Sequence, residues 1–76
     1  MTTLDLHNTT HSTVRSKTIR FIESYWDKQI DLKIITGRSV IIQKAVKEVL
    51  DEYKLEYRVG DILEINNGYI IIFMGK

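Results

Sequence analysis

The sequence predicts a two-layer α/β sandwich of the α+β type, with element order β-α-β-α-β-β and both helices on one face of a four-stranded mixed sheet. Three observations carry this. Two short extended runs, near residues 3–7 and 31–36, are each followed by a segment whose apolar residues recur with the helical period. The C-terminal stretch is rich in Ile, Val, Tyr and Phe and is punctuated by Asn67-Gly68, a hairpin signal. Two strand-helix-strand crossovers in 76 residues imply parallel pairing of the early strands, and right-handed connections put both helices on the same side.

In "TLDLH", residues 3–7, Leu4 and Leu6 alternate with Thr3, Asp5 and His7, the period-two pattern of a half-buried strand. The leucines go beneath the helices, which leaves Asp5 and His7 on the uncovered face. From about His11 to Lys28, Val14, Thr18, Phe21, Ile22 and Tyr25 line one helical face. "DLKIIT", residues 31–36, is the second strand and stops at Gly37. Ile42, Ala45, Val46, Val49, Leu50 and Tyr53 then repeat the helical offsets, with Gln43, Lys44, Lys47, Glu48, Asp51 and Glu52 on the wet face. Gly60-Asp61 bends the run that follows, and Asn67-Gly68 joins the last two strands. Ile35, Ile71 and Phe73 are candidates for the uncovered face, and Tyr57 and Tyr69 for cross-strand packing or base stacking.

Composition narrows the functional classes. An apolar fraction of 43% with 28% charged residues belongs to a folded globular chain, and residues 1–76 fit a single domain. There are no cysteines, which excludes disulfides and thiolate metal sites. No segment resembles a signal peptide and "YIIIFM" is too short to span a bilayer, so the expectation is a cytoplasmic protein with no membrane partner. Eleven Lys and Arg against ten Asp and Glu leave a net charge of +1, so any basic surface for nucleic acid must be local.

The chemistry-bearing residues converge on one sheet edge. In open α/β sheets, ligands bind at the carboxyl ends of parallel strands. Asp5 and His7 end the first strand there, and Gly37, Arg38 and Ser39 end the second and lead into a helix. An imidazole moves protons near neutral pH, and a neighbouring carboxylate fixes its tautomer. Glycine permits close backbone approach, the first amides of a helix are unpaired donors, and Arg38 adds a planar guanidinium, a set suited to phosphate. His11 is a candidate second proton carrier, and Arg15, with Lys17 and Arg20, a candidate extension of the phosphate track. The plainer alternative is that His7 caps its loop while Asp5 pairs with a surface Arg or Lys, and that the charged helix face serves solubility. One Asp and one His fall short of a metal coordination set, and no nucleotide-binding loop or serine nucleophile pattern occurs, so the residues imply neither a metal nor an organic cofactor.

"LDLH" at 4–7, an amphipathic helix, "IITGR" at 34–38 and a helix containing "AVKEVL" together resemble the small MutS-related (Smr) domain, over nearly the whole chain. The resemblance implies a standalone Smr-like domain with a sandwich similar to the C-terminal domain of bacterial translation initiation factor three. It also implies endonuclease activity, as DNA nicking or RNA cleavage at ribosomes. By position, Asp5 and His7 match the family's acid and histidine, and Gly37 and Arg38 match the first glycine and the basic residue of its second motif. Asn8 and Ser39 stand where the family has glycine. The resulting expectation is a nucleic-acid-binding domain in which His7 is the general acid or base, Asp5 orients it, and Gly37, Arg38 and Ser39 hold phosphate. The rivals are a binding module for nucleic acid or the ribosome without catalysis, and a small interaction protein. Oligomeric state stays open.

Overall fold

The structure is a computed structural model and describes residues 1–60 and 68–75. Its elements are β1 (Thr2–Asp5), α1 (His11–Ser24), β2 (Leu32–Ile35), α2 (Val40–Glu52), β3 (Glu56–Val59) and β4 (Tyr69–Phe73), the predicted order. The sheet runs β1-β2-β4-β3. β1 and β2 pair in parallel with Leu4 opposite Ile34 and Asp5 opposite Ile35, while β4 is antiparallel to both β2 and β3. β4 is therefore inserted between β2 and β3, and β1 and β3 form the edges.

One apolar core joins the two layers. Leu6, Leu32, Ile34, Ile70 and Ile72 from the sheet side meet Val14 and Ile22 of α1 and Ile42, Val46, Val49 and Leu50 of α2. Both helices thus cover the same sheet face, and each such side chain contributes about 1.5–3 kcal/mol by leaving water. Thr18 lies inside this core without penalty because its hydroxyl donates to Val14 O at 2.8 Å.

α1 ends at Ser24, a turn earlier than the periodicity predicts. Residues 25–28 form turns, Lys28 N donates to Tyr25 O, and Gln29 takes φ +55° to bring the chain back toward β2. α2 ends in a two-bond cap: Leu55 N donates to Leu50 O and Lys54 N to Asp51 O, with Lys54 at φ +56°.

On the open face Ile71 stands between Lys33 and Arg58 in the register and is only 8% exposed. Both cations reach along the sheet, Lys33 Nζ over the Tyr69 ring at 4.6 Å and Arg58 Nε to Gly60 O at 3.1 Å. Their aliphatic stems are therefore available to shield an apolar residue that faces water. Tyr57 pairs with Ile72 and packs on the core, whereas Tyr69 pairs with Ile35 and stands beside Lys33 on the open face. Gly60 N donates to Tyr69 O at 2.7 Å at the end of the β3–β4 ladder. The predicted Gly60-Asp61 bend and Asn67-Gly68 turn depend on Asp61 and Asn67, which lie outside the described residues.

Candidate functional site

Parallel pairing puts the carboxyl ends of β1 and β2 side by side. The ladder continues one step past β1, where Leu6 N donates to Ile35 O at 2.7 Å, and Leu6 is fully buried. That anchor fixes the phase of the chain: Asp5 before it and His7 after it are left at the surface, with side chains 49% and 54% exposed.

Asp5 and His7 are bound to each other. His7 N donates to Asp5 Oδ1 at 3.0 Å, and His7 Nδ1 is hydrogen-bonded to the same oxygen. These bonds hold the Asp5 carboxyl below its ordinary value, the ring bond contributing most and the backbone bond next. An ionised carboxylate only accepts, so the proton of the neutral ring sits on Nδ1 and the lone pair on Nε2. No Lys or Arg pairs with Asp5 among the described residues, so its partner is the histidine rather than the surface cation of the plainer alternative.

The loop after β2 meets this pair. Gly37 has φ +66°, and a Cβ there would lie 3.5 Å from His7 Cβ, so the backbone of one loop passes against the histidine of the other. Gly37 is held on both sides. Its N–H and that of Thr36 donate to Gly68 O, at 3.0 and 2.8 Å, while its carbonyl accepts from the Thr36 hydroxyl at 2.8 Å and from Gln43 Nε2 at 3.3 Å. Gln43, assigned to the wet face by periodicity, instead reaches back to the loop and is half-buried.

Asn8 and Ser39, the two departures from the Smr pattern, each have a structural reason. Asn8 adopts φ +67°, a left-handed conformation that glycine takes freely and asparagine tolerates best among other residues. Ser39 is the N-cap of α2, and its hydroxyl accepts from Ile42 N at 3.2 Å.

Both helices begin at this edge. Neither carries an acid in its first turn, so no side-chain charge there offsets the positive end of either dipole. Arg38 is exposed and has no ion-pair partner among the described residues. His11 is exposed as the first residue of α1, following the N-cap Thr10. Arg15 is occupied elsewhere: its Nη1 and Nη2 donate to Glu52 Oε2 and Oε1 at 2.8 and 2.5 Å, tying α1 to α2. The structure therefore brings together Asp5, His7 and Gly37, sets Arg38 and Ser39 next in the chain, and engages Arg15 with Glu52.

Sequence reasoning missed two parts of the site. The Gly68 carbonyl that fixes the β2 loop comes from the start of β4, and no local pattern announces it. Val40 and Ile41, which open α2 beside Arg38, are 76% and 61% exposed; their position before the first buried offset, Ile42, was a usable signal. Among the described residues no three His, Cys, Asp or Glu side chains are gathered to hold a metal ion, and no helix is long and apolar enough to cross a membrane. Compared with models of known protein families and with curated proteins, the chain matches none.

Proposed function

We propose that this chain is an Smr-like endoribonuclease domain in which His7 transfers the proton and the adjoining helix start holds the phosphate. The observation that carries this is the doubly bonded Asp5–His7 pair lying against the backbone of Gly37. A carboxylate on Nδ1 orients the ring, keeps Nε2 available as base, and stabilises the imidazolium that forms on proton uptake. In the reaction, His7 Nε2 takes the proton of a ribose 2′-hydroxyl as that oxygen attacks the adjacent phosphorus. The P–O5′ bond breaks, water protonates the leaving oxygen, and the products carry a 2′,3′-cyclic phosphate and a free 5′-hydroxyl. Arg38 and the first amides of α2 offset the charge growing on the non-bridging oxygens, an effect of a few kcal/mol when such donors are preorganised.

A binding module without catalysis is the second reading. It is favoured by Ser39, whose hydroxyl occupies one of the helix amides that a bare glycine loop would leave to a phosphate. An amide-detected NMR titration with single-stranded RNA, duplex DNA and a control polyanion, followed by gel analysis of the same mixtures, separates the readings. Shifts centred on Asp5, His7, Gly37 and Arg38 with cleavage support the nuclease. The same shifts with intact RNA leave a binding module, and no shift at these residues removes both.

A further inference from the structure

The edge strand β1 has a second feature beside the Asp5–His7 pair. Between β1 and one side of α1 runs an open groove of about 410 Å³, lined by Leu4 and Asp5 on the strand, by Lys17, Arg20 and Phe21 on the helix, and by Tyr25 just past its end. Such a volume falls in the range of small-ligand sites, roughly 300–1,000 Å³. Asp5 belongs both to this groove and to the histidine pair, so the two are continuous.

The helix wall carries its residues at the spacing of one stripe, flanking the row Val14, Thr18 and Ile22 that faces the core. Phe21 and Tyr25 meet edge to face with ring centroids 5.5 Å apart, and both are half-buried. They are fixed by packing, yet each leaves part of its surface to the groove. Lys17 and Arg20 are exposed, and neither has an ion-pair partner among the described residues, in contrast to Arg15 two residues before Lys17. Exposed cations and half-buried aromatic side chains lining one groove, in a chain of net charge +1, make a local binding surface for a ligand that alternates anionic and flat apolar parts.

From this geometry we infer that the β1–α1 groove binds the single-stranded polynucleotide segment flanking the phosphate at His7. Lys17 and Arg20 contact its phosphates, and Phe21 and Tyr25 contact a base. This rests on the reading of Asp5 and His7 as a phosphodiester site. The carboxylate of Asp5 repels phosphate from the end of the groove it lines, so the phosphates lie along the cations of α1. A base in a regular duplex has both faces stacked, whereas an unpaired base can turn one toward a ring, and the segment bound is therefore single-stranded.

Fluorescence anisotropy tests this with a short 2′-O-methyl RNA, which lacks the attacking hydroxyl and stays intact, alongside the same sequence as DNA, its duplex, and polyphosphate as competitor. Lys17→Ala with Arg20→Ala changes only exposed side chains, and circular dichroism checks the fold. We expect this double variant to weaken single-strand binding about tenfold and to lower the salt slope by about 1.4, near 0.7 for each lost contact. Phe21→Leu should weaken binding about tenfold at an unchanged salt slope, as loss of stacking does. Wild-type affinity and slope in the double variant overturn the groove; if Arg38→Ala alone then weakens binding, the phosphodiester site survives without it. Loss of binding in the groove variants, with RNA cleavage unaffected by His7→Ala, overturns the site reading while the groove stands. Equal affinity for the duplex overturns the single-strand assignment, and equally effective competition by polyphosphate overturns the aromatic contact. RNA and DNA binding alike assigns the contacts to phosphate and base; a preference for the RNA adds the 2′ position.

Discussion

Asp5 Oδ1 accepts two hydrogen bonds from His7, one from its backbone amide at 3.0 Å and one from ring Nδ1. The first fixes the turn, and the second fixes the ring relative to that turn. Because a single oxygen does both, the pair separates into distinguishable variants. Asp5→Asn can still accept through its amide oxygen but loses the charge that stabilises imidazolium, and His7→Gln keeps a polar side chain without a titrating nitrogen. RNA cleavage should fall by about 10²–10⁴-fold in His7→Gln, the range that general acid–base catalysis supplies, and by a smaller factor in Asp5→Asn. Labelled-RNA gels compare the two rates directly.

The same bonds make acid stability depend on Asp5. Its folded-state pKa lies below its ordinary value of 3.8, chiefly through the His7 ring bond, and Glu52 is likewise held below 4.5 by the Arg15 guanidinium. A carboxyl lowered on folding stabilises the fold above its unfolded pKa, and that contribution is lost as pH falls through the lower folded value. Urea midpoints should therefore drop on acidification below about pH 4.5. The drop should be shallower in Asp5→Asn and in Glu52→Gln, which have already lost the respective contribution at neutral pH.

Arg15 gives a contrasting expectation. Its guanidinium is held by both carboxylate oxygens of Glu52 across the α1–α2 interface. Arg15→Ala should lower the thermal midpoint slightly and leave RNA affinity at the wild-type level, whereas Arg38→Ala should do the reverse. Anisotropy and a melting curve on each variant check the pair.

Backbone sign supplies a fourth test. Gly37 sits at φ +66° and Lys54 at φ +56°. A left-handed backbone costs an L-residue about 1–2 kcal/mol relative to glycine. Gly37→Ala should destabilise by about that amount and reduce cleavage as well, since Gly37 carries the loop beside His7. Lys54→Gly, in the cap of α2, should raise stability by about 0.5–1 kcal/mol with no effect on cleavage, the strain relieved exceeding the added chain entropy of glycine. Denaturant titrations measure both.

Much of the fold was legible because periodicity reports burial. Val14, Thr18 and Ile22, and Ile42, Val46, Val49 and Leu50, are buried at the offsets their spacing implied. The parallel pairing of β1 with β2 and the antiparallel pairing of β3 with β4 were legible; the partner of β4 on its other side was not. That β4 lies between β2 and β3 follows from contacts far apart in sequence, as does the capture of Arg15 by Glu52. Of the site, the convergence of Asp5, His7 and Gly37 could be read from the parallel order of two strand ends. The bond between Asp5 and His7 was one of two readings the residues allowed; spacing did not decide between it and a surface cation, because it does not state which way a side chain turns at the end of a strand. The groove that Lys17 and Arg20 line could not be read, since it needs the edge position of β1 to exist.

The central claim is proton transfer by His7 in RNA cleavage, and the most direct measurement is product analysis of a single-stranded RNA incubated with wild-type protein and with His7→Ala, each purified identically. The account expects fragments ending in 2′,3′-cyclic phosphate and 5′-hydroxyl from the wild type, and intact RNA from a folded His7→Ala. Equal cleavage by the two proteins, or intact RNA with both, would contradict it.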